Sequence, residues 1–361
     1  MWLSKPTRCL TNNSRFYSQG REILSPLGFF QKGVVTVMTS IPRNAKQVIN
    51  TGRKSRFSKI MSSQWQLMLM SVPMLLYVLL FNYAPLWGWV NAFKDYTSKT
   101  AAGSANVAWR GLENFRDLFT NVMYKDDFLR SIRNTLAMSV INLVMGTVSA
   151  ILLAVLLNEL RNKAFKRTVQ TVTYLPHFLS MIVVVSMTKS FFDDNGPVNE
   201  FLKSMGLIEN NIYWLGDKSV FWWLVGIVNV WKEVGWNTII YISAMTSIDP
   251  CLYEAASIDG AGRFQRMLHV TLPGIKSTFV ILLIMNIGHL LEAGFEIQYL
   301  LGADVVHDVA ETIDIFVLKW GTEKLNYGLA TAAGMFKSVV AIILLVIANM
   351  TAKALDEDTL I

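Results

Sequence analysis

Six stretches of this chain are each apolar over about twenty residues, the length an α-helix needs to cross the hydrocarbon core of a bilayer. They run about Leu67–Trp89, Asn134–Leu157, Thr168–Phe192, Val220–Met245, Ile275–Leu300 and Leu329–Thr351. In lipid, only helices and closed barrels satisfy every backbone polar group, and unbroken apolar runs of this length suit helices. The expected fold class is therefore an all-α membrane protein with six transmembrane helices. Composition agrees. Only 16% of the residues are charged, against about 25% in soluble domains, and the mean hydropathy is +0.37. Pro73, Pro85 and Pro176 fall inside spans and are read as kinks rather than breaks.

Charge sets the expected orientation, because basic residues collect on the cytoplasmic side of spans. Before the first span stand eleven bases, from Lys5 to Lys59, against the single acid Glu22. After span two, NELRNKAFKR holds four bases and one acid. The loop after span three, 193–218, holds two bases and five acids. The segment before span one and the connection after span two are therefore expected in the cytoplasm. With six spans, so are both termini and the connection between spans four and five. Three parts follow: a basic cytoplasmic arm over 1–64, a six-span domain over 65–353, and a short cytoplasmic tail over 354–361. The basic arm lies beside a span, where it meets anionic lipid, so the net charge of +7 does not argue for a nucleic-acid partner.

Several function classes are disfavoured. The four histidines and two cysteines show no HExxH or CxxC spacing, so no metal site is expected. The chain contains no Gly-Lys pair, which the phosphate-cradling loop of an ATPase requires. No catalytic constellation is present, so the chain is not expected to be an enzyme.

Between spans four and five stands EAASIDGAGRFQRMLHVTLP, Glu254–Pro273. Asp249 can cap free N–H groups, and Pro250 suits a first helical position. A short helix is expected over about Cys251–Asp259, ended by Gly260 in a left-handed turn. A second would run about Arg263–His269, with Pro273 closing the unit. Ala255 and Ala256 offer almost no side chain, so another protein could approach closely. Glu254 and Asp259 supply charge. The unit reads as a small rigid knob.

This stretch resembles the EAA signature of permease subunits of ATP-binding-cassette (ABC) importers. The pattern is Glu-Ala-Ala, three residues, Gly, nine residues, a hydrophobic residue, one residue, Leu-Pro. Glu254, Ala255, Ala256, Gly260, Val270, Leu272 and Pro273 fill every position. A chance match is on the order of one in ten million per start position, from average residue usage. The resemblance implies the type I importer permease fold, with the knob as a coupling helix that docks into a cleft on an ATPase subunit. Glu254, Ala255, Ala256, Gly260, Leu272 and Pro273, with Asp259 between them, would form the ATPase-coupling surface. The chain itself would bind no cofactor; ATP and Mg would sit on the ATPase. The implied partners are a second homologous permease, two ATPases, an extracytoplasmic solute-binding protein and membrane lipid, in a bacterial inner membrane.

From about Leu67 to Lys353 the chain also resembles the complex-carbohydrate subgroup. The stretches FNYAPLWGWVNAFKDY, LLNELRNKAFKRTVQTVTYLPHFLS and WKEVGW carry this likeness. It implies an oligosaccharide or polysaccharide substrate, uronate glycans such as alginate included.

Ionisable groups inside spans usually face a cavity or a partner. In span five, Asn286, His289, Glu292 and Glu296 recur at three- and four-residue spacing and would share one helix face. They are candidates for a polar wall of the substrate path, or for bonds to neighbouring helices. Span four adds Asn229, Trp231 and Lys232, with Trp236 as another aromatic face. Lys232 and Glu233 are adjacent and are expected to point apart without neutralising each other. The stripe on span five also admits an alternative, an ion-coupled secondary transporter using His289 with Glu292 or Glu296 as a proton relay.

Overall fold

A computed structural model describes residues 65–97, 107–302 and 304–355. The arm expected over 1–64 and the end of the tail from 356 lie outside the described residues. The described residues fall into two units, divided between Trp87 and Gly88.

In the first unit, α1 (Trp65–Val78) runs straight through Pro73 and passes into a π turn, Leu79–Tyr83. None of these residues is buried. Pro85 stands in the 3-10 stretch Ala84–Phe93, which is next in the chain.

In the second unit every named element is helical, and the described residues contain no strand beyond two isolated bridges. After α2 (Glu113–Thr120) comes α3 (Lys125–Glu159), at 35 residues much longer than a span requires. Its exposed face carries Leu136, Val140, Val144, Val148, Leu152 and Leu156, as expected of a lipid-contacting stripe. Its other face buries Ala150 and Ala154, whose small side chains let a neighbouring helix approach.

The third apolar stretch is not one helix. Two helices, α4 (Lys163–Tyr174) and α5 (Met181–Phe191), are joined by a 3-10 turn at Leu175–Phe178. They meet at 102°. The expected kink at Pro176 is thus a break. Proline stands in the 3-10 turn, and extended Ser180 starts a new helix by accepting a hydrogen bond from Val183 N–H. Next come α6 (Pro197–Ser204) and α7 (Phe221–Thr246), then α8 (Pro250–Ile258) and α9 (Arg263–Arg266).

The fifth stretch is broken as well. Helix α10 (Lys276–Gly288) ends in a turn over 289–294, and α11 (Phe295–Leu301) restarts after Gly294 at φ +90°. Two short helices, α12 (His307–Ala310) and α13 (Ile313–Leu318), lead to α14 (Tyr327–Ala354).

Three described helices are long and apolar enough to cross a membrane, or up to five segments if each bent pair is one span. This count falls short of six. The expected fourth span falls on helix α7, which is not among those counted because Asn229, Lys232, Glu233 and Asn237 dilute its hydropathy.

Helices α3 and α7 form the backbone of the unit. Ala150, Ala154 and Val155 pack on Tyr241 and Met245. Thr238 Oγ1 donates to the Ala150 carbonyl at 3.3 Å. A second cluster holds α5 and α11 against α7 through Val184, Val185, Phe221, Val225 and Ile297.

Candidate functional site

Two places combine exposure, irregular backbone and polar side chains. The first is α8, the knob. Asp249 accepts a hydrogen bond from Cys251 N–H at 2.9 Å and Pro250 opens the helix. At the far end Ala261 N–H bonds the Ala256 carbonyl and Gly260 N–H bonds the Ser257 carbonyl. Gly260 lies at φ +80°. Together these make a Schellman cap, which ends a helix sharply and leaves few carbonyls unsatisfied. The helix spans Pro250–Ile258, one residue earlier than expected at each end.

Gly262 N–H then donates to Gln265 Oε1 at 2.8 Å and starts α9. That helix passes into a π turn, Met267–Thr271, and a turn at Leu272–Gly274. Glu254, Ala255, Asp259, Gly260 and Pro273 are exposed, and Ala256 is half-buried. Leu272 packs with Ile248 and Met267 on the cluster of Ala150, Tyr241, Met245 and Ile275. Tyr253 Oη lies 3.0 Å from Thr271 Oγ1. A Cβ on Gly274 would stand 2.5 Å from Ile248 Cδ1. The knob is therefore fixed, through Leu272 and Ile248, to the C-terminal parts of α3 and α7. Helix α8 also exposes Ile258 (86%) and Leu252 (54%), apolar groups outside the pattern that the described residues leave uncovered.

The second place is a cavity of about 360 Å³ beside the middle of α7. Helix α3 contributes Ser139, Asn142 and Thr147, and α7 contributes Asn237. Asn286, His289 and Glu292 complete the polar lining. Ser139 Oγ is buried and has no hydrogen-bond partner among the described residues. His289 Nδ1 lies 2.9 Å from the Met285 carbonyl. A carbonyl only accepts, so Nδ1 carries the proton and Nε2 is left as an acceptor.

The expectation of one shared face on span five is corrected here. Asn286 is in the last turn of α10, His289 caps it, Glu292 is in the turn, and Glu296 opens α11. Spacing of three and four residues has no meaning once the helix stops. Three of the four still reach the cavity because the turn folds beside it; Glu296 does not. Non-helical backbone at membrane depth is tolerated where it is buried in protein or lines a water-filled cavity.

From span four, Asn229 Nδ2 reaches Asn142 Oδ1 at 3.4 Å, at the cavity edge. Trp231 is 43% exposed and does not line the cavity. Lys232 is buried, at 9% exposure. Its Nζ lies 2.7 Å from Glu233 Oε1 and donates to the His177 carbonyl at 3.2 Å. The two neighbours thus do pair, contrary to expectation, because the lysine stem is long enough to curl back. Glu233 Oε2 also takes His177 Nδ1 at 2.7 Å, and the His177 ring stacks on Trp236 at 4.4 Å and 5°. This network holds the break in span three against the midpoint of α7.

A further cluster went unread in the sequence. Lys319 Nζ bonds Asp127 at 3.1 Å and the fully buried Glu311 at 3.2 Å, while Arg130 also pairs with Asp127. Burial pushes the Glu311 carboxyl up from its ordinary value, against the pull of Lys319. Asn134 Nδ2 donates to the carbonyls of Asp308 and Glu311. Together they clamp the segment 307–319 on the start of α3. The partners are nearly two hundred positions apart, so no local spacing could reveal them.

Comparison with known proteins agrees with this geometry. Residues 131–357 match the family described as binding-protein-dependent transport system inner membrane component. Protein LplB of Bacillus subtilis (strain 168) is 40% identical over 326 residues, covering 90% of this chain and 100% of that protein. The polygalacturonan/rhamnogalacturonan transport system permease protein YteP of the same organism is 42% identical over 307 residues, covering 85% and 93%. A crystal structure of a bacterial alginate ABC transporter, in complex with an alginate pentasaccharide-bound periplasmic protein, matches with TM-score 0.74 at 35% identity. It covers 83% of this chain and 98% of that one.

Proposed function

We propose the following function for a chain that belongs to the family of binding-protein-dependent transport inner membrane components: it is the permease subunit of an ATP-driven importer of oligosaccharide or polysaccharide. The observation that carries this reading is the Schellman-capped, exposed knob, which fills the EAA pattern and is fixed to α3 and α7. The relatives named for polygalacturonan, rhamnogalacturonan and alginate transport support the substrate class and keep uronate glycans, alginate included, within it.

In this reading α7 is the fourth of six spans, and both termini and the knob face the cytoplasm. A second, homologous permease completes the pathway. Two ATPase subunits receive the knobs and hold ATP and Mg²⁺. A solute-binding protein delivers substrate to the outer face, a reading supported by the alginate transporter's complex with a pentasaccharide-bound periplasmic protein. Closure of the ATPases pushes Glu254–Gly260, and the cluster around Tyr241 and Met245 passes the push to α3 and α7. The pathway then alternates between outward and inward access. Sugar hydroxyls hydrogen-bond with Asn237, Asn286, His289 and Glu292 on the way through the cavity.

The proton-coupled alternative is set aside, since the family match and the named relatives are binding-protein-dependent and ABC systems. Uptake of labelled oligosaccharide into proteoliposomes holding the whole complex tests the reading. Uptake should need ATP and binding protein and ignore an imposed proton gradient. Gradient-driven uptake without ATP would overturn it.

A further inference from the structure

Helix α4 gathers basic residues at its N-terminal end. Asn162 caps it, accepting from the N–H groups of Ala164 and Phe165. Arg161, Lys163, Lys166 and Arg167 cluster at that end, and the helix contains no acid. Cations are unfavourable at a helix N-terminus, where the dipole is already positive, so they do not serve the helix itself. No described carboxylate pairs with any of the four.

At 100° per residue, Lys163, Arg167, Gln170 and Tyr174 share one flank, and Phe165 and Val172 share the opposite one. The apolar flank is bare: Phe165 is 55% exposed, Val172 63%, and Leu175 just beyond it 64%. The helix meets the bundle between the flanks and at Gln170 and Tyr174, which are half-buried, while Lys163 and Arg167 stay exposed. Between the flanks, a Cβ on Gly235 of α7 would stand 2.0 Å from the Thr173 carbonyl. The 102° break turns α4 away from the direction of α5.

We infer that α4 is a binding site for anionic phospholipid, with the four cations on a phosphate headgroup and Phe165, Val172 and Leu175 along its acyl chains. Basic residues beside a span also set topology, but that role needs no exposed apolar flank. Cations on one side and bare aromatic and aliphatic groups on the other are what a headgroup and its chains require. A docked protein would have to cover both flanks at once. The bound lipid steadies the free end of the broken span, whose other end is held by Lys232, Glu233 and Trp236. The inference is independent of which sugar is carried.

The test uses the whole complex, extracted from vesicles of phosphatidylcholine mixed with phosphatidylglycerol, with retained lipid counted by native mass spectrometry. The wild type should keep phosphatidylglycerol in preference to phosphatidylcholine, and inorganic phosphate should not displace it. Glutamine at positions 161, 163, 166 and 167 should erase the preference, with affinity falling about fivefold per charge removed. A photo-crosslinking residue at position 165 leaves every cation in place, so insertion is undisturbed. It should capture phosphatidylglycerol over phosphatidylcholine. Equal capture of both lipids there, unchanged preference in the glutamine variant, or loss of the ATPase with lipid retention intact would each overturn the proposal.

Discussion

The contact of Gly235 with the break in span three yields a sharp perturbation. A Cβ at position 235 would lie 2.0 Å from the Thr173 carbonyl oxygen, 2.4 Å from its carbon and 2.9 Å from Tyr174 N. All three are backbone atoms, so no rotamer change relieves the clash. To restore ordinary contact, α4 and α7 must separate by about 1.4 Å. Overpacking of this kind destabilises by about 1–3 kcal/mol, and backbone obstacles belong at the upper end. Separation would also strain the bonds of Lys232 and Glu233 to His177, which lie one turn away on α7. Gly235→Ala should therefore lower the melting temperature of the purified complex. It should also lower transport more than its effect on folded yield explains. Gly334→Ala in α14 is the control, since a Cβ there meets nothing within 4 Å. That change should be neutral or slightly stabilising, as alanine is the better helix former. A Gly235→Ala complex that melts with the control would refute the close approach of the two helices.

Other perturbations follow from the same geometry. Lys232→Met leaves the half-buried Glu233 without its lysine partner, whereas the Lys232→Met, Glu233→Met double variant removes both members of the pair; thermal melts should show the single variant as the less stable. Lys319→Met strands the buried Glu311 carboxylate and should destabilise by about 3–5 kcal/mol in denaturation of the purified complex. Glu311 and Lys319 both have pKa values raised in the folded state, by burial for Glu311 and by its acidic neighbours for Lys319. The folded chain thus holds these protons more tightly, and stability falls as pH rises through each raised value. Melts of Glu311→Gln should lose the acidic-side part of that dependence. Asn237→Leu puts an apolar group in the cavity and should raise the KM for sugar uptake while ATP hydrolysis without sugar is unchanged.

Much of this architecture can be read from residues alone, for local reasons. The knob is legible because its determinants are contiguous: Asp249-Pro250 starts the helix and Gly260 supplies the left-handed cap, all within 249–260. The long spans are legible because hydropathy over twenty residues overrides local detail. The breaks are not legible. Pro73 and Pro176 look alike in sequence, yet the first sits inside a continuous helix and the second beside a right-angle turn. The difference lies in Ser180, which caps a new helix, and in Lys232, which satisfies the His177 carbonyl from another span. In span five the helix stops at Gly288 and restarts only after Gly294, so the polar stripe survives as a cavity wall built from a turn. The clamp at Asp127, Glu311 and Lys319 depends on pairing across the whole domain, which periodicity does not encode.

The central claim is that Glu254–Gly260 is the handle of a motor carried by another chain. The most direct measurement is ATP hydrolysis by the complex that co-purifies with this chain, with and without Gly260→Pro. Proline fixes φ near −65°, whereas Gly260 stands at +80°, so the Schellman cap cannot form. The account predicts that an ATPase co-purifies with the wild type and that the variant loses either the ATPase or its stimulation by substrate. A variant that keeps both, or a wild-type chain with which no ATPase travels, would contradict it.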